Sequence, residues 1–142
     1  MKITFYFQKA YTLKQRKKLK HFIVSIFKSE KRTLSDLSFV FCSDSYLLEI
    51  NNKFLHHNFF TDIITFDLTP IDKKAIEAEI YISVDRVREN SKIFKSSTEQ
   101  EFHRVIFHGV LHLCGYTDKS KSQKLIMTQM EHLYLEKYLI FT

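Results

Sequence analysis

The stretch His108-Gly109-Val110-Leu111-His112-Leu113-Cys114-Gly115-Tyr116-Thr117-Asp118 contains the only two glycines in the chain and spaces two histidines and an aspartate as a metal site would. Residues four apart on an α-helix project from one face a turn apart, so His108 and His112 can aim both imidazoles at a single ion. Gly115 accepts the left-handed conformation that ends a helix and reverses the chain, which brings Asp118 within reach. Two neutral imidazole nitrogens and one carboxylate oxygen form a borderline donor set suited to zinc, and three protein ligands leave a fourth position open for catalysis. A glycine inside a helix costs about 1 kcal/mol relative to alanine, so Gly109 needs a reason; the expected one is to keep the open face of the metal clear. The same spacing occurs in a metalloprotease signature whose second residue is the glutamate base. Gly109 stands at that place and argues against peptide hydrolysis.

Outward from this stretch, the ligand helix is predicted over 98–114, opened by a capping box of Thr98 and Glu101. Its apolar positions, Phe102, Val105, Ile106, Val110, Leu111 and Leu113, make it largely buried. A helix over about 120–139 follows, with Met127, Met130, Tyr134 and Tyr138 on one stripe, and another precedes it over roughly 84–94. Strands are expected at 2–8, from Asp36 to Phe41, at 62–68 and at 76–84. Between them lie a helix over about 13–29, opened by Thr12 and Gln15, and a shorter one capped by Ser43 or Ser45. His56, His57, Asn58 and two phenylalanines form a loop. The sum is α+β: a single domain over residues 1–142, a mixed sheet of about four strands covered by helices, with a buried central helix carrying the metal ligands.

At 142 residues, 44% hydrophobic and 15% aromatic, the chain can bury one sizeable core. No apolar run approaches the ~20 residues of a membrane span, and the start lacks the features of a signal peptide, so a cytoplasmic protein with no membrane partner is expected. Cys42 and Cys114 form no C-x-x-C pair and read as buried thiols rather than a disulfide or thiolate ligands. His21, His103 and His132 have no partner spacing and read as structural or surface residues. The formal charge of +6 suits a polyanionic partner. Lys14, Arg16, Lys17, Lys18 and Lys20 read as a solvated helix face, whereas Lys119, Lys121 and Lys124 border the metal site and read equally as phosphate contacts or as surface charge for solubility.

Together these residues resemble the H-G-x-L-H-L-x-G-Y-D-H signature of the YbeY-type endoribonucleases, bacterial rRNA maturation factors. Two further blocks are similar to that family: Ile50-Asn51 with Phe54 and then Thr61-Asp62-Ile63-Ile64-Thr65-Phe66, and Ala78-Glu79-Ile80-Tyr81-Ile82-Ser83. The resemblance spans about residues 46 to 136. It implies a zinc-dependent endoribonuclease acting in 3′-end maturation of small-subunit rRNA and in ribosome quality control, with RNA and the ribosomal small subunit as partners and no nucleotide cofactor. His108 and His112 fall on the first two zinc ligands of the family, and Asp118 falls where it usually has a third histidine. Leu55 stands where the family has an arginine, and the neighbouring His56 and His57 are candidates to replace its cationic role.

On this reading zinc held by His108, His112 and Asp118 activates a water or polarises a phosphodiester oxygen. Glu79 is the candidate general base if its strand lies against the ligand helix, or else an acid partnering a ligand histidine. Thr61 and Asp62 are expected to orient the loop entering their strand. Two alternatives are an assembly factor with a closed, structural zinc and a metal-dependent hydrolase of another substrate.

Overall fold

Strands β1 (Lys2–Phe7), β2 (Leu34–Cys42), β3 (Ile63–Asp67) and β4 (Ile76–Ser83) form one sheet in the computed structural model, which describes residues 1–142. Their order is β1-β2-β4-β3; β1, β2 and β4 run parallel and the edge strand β3 runs antiparallel to β4. Five helices complete the chain: α1 (Arg16–Ser29), α2 (Asp44–Leu55), α3 (Val84–Ile93), α4 (Thr98–Leu113) and α5 (Lys121–Ile140). Side chains alternate across a strand, so each strand sends one set of apolar residues to either face. Leu37, Phe39, Phe41, Ala78, Ile80 and Ile82 join the main core with α1, α4 and α5. Cys42 and Ile64 instead meet Leu47 and Ile50 of α2 in a smaller core on the opposite face, flanked by Phe66 and Tyr81. The expected α+β layout is present, with the mixed sheet between helices.

Helix α4 is the central element. Phe102, Val105, Ile106, Phe107, Val110 and Leu111 are buried on all sides of it, the signature of a helix enclosed by other elements. Two of the expected helix starts are displaced. Ser97, not Thr98, caps α4 by accepting from the Gln100 N–H at 3.0 Å, because Glu101 is taken up by Arg104 instead of closing a capping box. Helix α1 begins at Arg16, and Gln15 sits at its N-cap in the left-handed region without a side-chain cap. Packing overrides the Thr12–Gln15 signal: Leu13 is buried and Tyr11 stacks on Phe102, which holds residues 8–15 as a connection. Ser43 caps α2, and Ser120 with Gln123 forms a true capping box on α5.

Gly109 faces the sheet rather than the open side of the metal site. A Cβ there would stand 2.9 Å from the Cδ1 atoms of both Ile63 and Ile80. The absent side chain therefore lets α4 approach β3 and β4, which corrects the steric role expected for this residue. Overpacking such a contact typically costs about 1–3 kcal/mol. Gly109→Leu is expected to lower the unfolding free energy by about that amount, seen as a lower urea midpoint, despite leucine's better helix propensity; an unchanged or higher midpoint would refute the close approach.

Candidate metal centre

The end of α4 builds the site. Gly115 takes φ +105°, and the N–H groups of Gly115 and Tyr116 turn back to the carbonyls of His112 and Leu111 at 3.0 Å each, a Schellman motif. The reversal sets the Tyr116 carbonyl 2.9 Å from His112 Nδ1. It also carries Asp118 back over the helix: its Oδ2 lies 3.4 Å from His108 Nε2 and 3.5 Å from His112 Nε2. The Ser120 capping box holds the far side of this turn, with Gln123 Oε1 accepting from the Lys119 and Ser120 N–H groups. His108, His112 and Asp118 each offer one ligand atom, and the three atoms lie within 4.8 Å of one another.

Hydrogen bonding shows that the donor set fits a cation. A carbonyl only accepts, so His112 Nδ1 carries its proton toward Tyr116 and leaves a lone pair on Nε2. Glu131 Oε2 lies 2.5 Å from His108 Nδ1 and imposes the same arrangement on that ring. The two Nε2 atoms then face each other at 2.9 Å beside a carboxylate oxygen. Three acceptors converge with no donor among them, and a metal ion satisfies all three. Burial first, and the adjacent His108 second, hold the His112 pKa below the ordinary histidine value, which keeps the ring neutral for ligation.

The triad opens on a cleft of about 770 Å³ between α4 and the edge strand β3. Asp62, Thr65 and Asp67 line one wall, Leu55, His57 and Phe59 belong to the rim, and Lys119 is the single lysine in the lining. Burial raises the Asp62 pKa, while Arg104 and His108 oppose that rise. His56 lies outside the cleft, exposed at the left-handed end of α2. Lys121 and Lys124 flank a separate shallow depression on the first turn of α5.

Glu79 is not at the centre. Ile80 faces α4, so its neighbour Glu79 faces the other side of the sheet, where the Tyr81 hydroxyl donates to it at 3.1 Å. The acid that does partner a ligand histidine is Glu131 of α5. A charged residue four positions after Met127, on the stripe continuing to Tyr134 and Tyr138, was the available signal for it. Cys114 is buried with its thiol pushed up to about 12, so it remains a neutral core group and not a thiolate ligand.

Against this geometry, a family profile described as endoribonuclease YbeY matches residues 4–139. The chain belongs to the endoribonuclease YbeY family. The chain is 45% identical over 121 residues to the Cytophaga hutchinsonii endoribonuclease YbeY, covering 85% of this chain and 84% of that one. The Karelsulcia muelleri endoribonuclease YbeY is 39% identical over 133 residues, covering 94% and 93%. A Thermotoga maritima protein solved in solution superposes with a TM-score of 0.66 at 29% identity, covering 97% of this chain and 89% of that one. No helix is long and apolar enough to cross a membrane.

Two histidines make stability sensitive to acid. His103 and His112 both have pKa values lowered by burial, so the unfolded chain accepts protons below about pH 6.5 that the folded chain refuses. Their contribution is therefore intact above that pH and declines on acidification through it. His103→Phe preserves the aromatic packing against Tyr138 and should flatten part of the fall in urea midpoint between pH 7 and pH 5. An identical fall in the variant would sink the assignment to His103.

Proposed function

We propose that the protein is a zinc-dependent endoribonuclease, a single catalytic domain over residues 1–142, acting in the cytoplasm on small-subunit rRNA precursors during 3′-end maturation and ribosome quality control. The observation that carries this reading is the convergence of three acceptor atoms at the base of an open cleft with Lys119 in its lining, in a YbeY-family chain. Two imidazole nitrogens and a carboxylate oxygen suit zinc. Zinc held there supplies a Lewis acid to a phosphodiester. Around it, His108 and His112 present neutral Nε2 atoms, and Asp118 adds an anionic ligand where the family usually has a neutral histidine.

Lys119 offers a cation to an RNA phosphate entering the cleft, and His57 stands on the opposite rim beside Leu55, at the place of the family's arginine. Lys121 and Lys124 extend positive charge along α5 for a longer strand, and His56, exposed at the end of α2, offers a further cationic contact outside the cleft. A structural zinc would need a fourth protein ligand. Only three residues converge, and the side chain of Asp118 is 38% exposed, which favours an open, catalytic centre.

His108→Ala or His112→Ala should abolish stoichiometric zinc and RNA cleavage, and Asp118→Ala should weaken both. Metal analysis of the purified variants checks this; full zinc occupancy in His112→Ala would remove the site as drawn. Changing Lys119, Lys121 and Lys124 to alanine should leave zinc in place but weaken RNA binding. The logarithmic salt slope should become shallower by about 0.7–1 for each phosphate that no longer meets a lysine. An unaltered slope would contradict the proposed RNA-facing side. Cells lacking the protein should accumulate small-subunit rRNA with unprocessed 3′ ends; normal ends would contradict the maturation role.

A further inference from the structure

Glu131 stands behind His108 with both carboxylate oxygens committed. Oε2 accepts from His108 Nδ1 at 2.5 Å, and Oε1 accepts from Arg104 Nη1 at 3.1 Å. Arg104 also grips Glu101, with Nε at 2.8 Å from one oxygen and Nη2 at 2.6 Å from the other. Glu101 and Glu131 are both buried, and a buried carboxylate is costly to keep unless it is paired. One guanidinium faces both of these carboxylates and, more loosely at 3.7 Å, that of Asp62, so Glu101 and Glu131 are not neutralised by it alone, and the open partner for Glu131 is the His108 ring.

We propose that Glu131 is a positioning residue for the metal ligand His108, locked in place by Arg104. By accepting the Nδ1 proton, Glu131 leaves the Nε2 lone pair on the ion side of the ring, orients the imidazole and raises its basicity as a ligand. Arg104 acts one step further out by preventing Glu131 from turning away. The chain so formed runs from the middle of α4 through α5 and back to α4. It fixes the one ligand whose outer nitrogen the Schellman turn cannot reach. The inference rests on the reading that a metal occupies the His108–His112–Asp118 site. A merely structural Glu131, present to neutralise Arg104 and hold α5 on α4, would leave the ligand ring untouched.

The test measures zinc dissociation constants by chelator competition for the wild type, His112→Ala, Glu131→Gln and Arg104→Lys. It adds nitrogen-15 NMR of the His108 ring in the metal-free wild type at pH 8. Glu131→Gln keeps the shape and an accepting oxygen while Glu101 still holds Arg104, and zinc should bind ~10–100-fold more weakly. Arg104→Lys, which loses the planar fork, should also weaken zinc, and should add nothing in the Glu131→Gln background because it acts through that residue. His108 in the wild type should carry its proton on Nδ1. Wild-type zinc affinity in Glu131→Gln, or a proton found on Nε2, would overturn the proposal. Should Glu131→Gln fail to fold, the wild-type tautomer still decides. A wild type that binds zinc no better than His112→Ala would show instead that the metal site itself is misread, and the role of Glu131 would fall with it.

Discussion

The approach of α4 to the sheet governs everything built on it. Gly109 has no side chain to hold Ile63 and Ile80 away, so the helix settles directly on β3 and β4. One residue earlier on the same turn, His108 then stands beside the edge strand, and one turn later so does His112. The cleft is the gap that remains between this helix end and the edge strand. A wider spacing would leave the imidazoles in place on α4 but remove the wall that confronts them.

The charges around the centre are arranged in two tiers. Facing the cleft are acceptors only, the two Nε2 atoms and the Asp118 carboxylate. Behind them, the Tyr116 carbonyl and the Glu131 carboxylate hold the opposite ring nitrogens, and Arg104 binds the carboxylates that would otherwise repel one another. Backbone supports one histidine and side chains support the other. The difference follows from position: His112 lies in the last turn of α4, where the returning chain is at hand, whereas His108 lies a turn deeper and depends on a neighbouring helix.

The metal triad was legible because its information is local: i, i+4 spacing and a helix-ending glycine act within eleven residues of chain, His108 to Asp118. The strands and helices were legible for the same reason, through periodicity. What escaped depends on tertiary packing. The role of Gly109 lies in the side chains of Ile63 and Ile80, on two other strands. The start of α1 was displaced by the burial of Leu13 and Tyr11's stacking on Phe102, which outweighed a capping pattern. Glu79 was expected beside the ligand helix and instead faces away from it, because strand alternation fixes a face only once it is known which face the helix covers. Glu131 itself was hidden on a stripe read by its apolar members alone.

All three metal ligands sit on elements that owe their shape to something other than the ion. Helix α4 is held by the main core, the turn after it by backbone hydrogen bonds, and the run into α5 by Ser120 and Gln123. The ligands also lie close together in sequence, so an ion joining them closes only a short loop and removes little freedom from the unfolded chain. Such a fold is complete before it is loaded. Newly made chains can reach the native state in metal-poor conditions and await the ion, and a chelator disarms them without dismantling them, unlike the small zinc modules whose ion is their core.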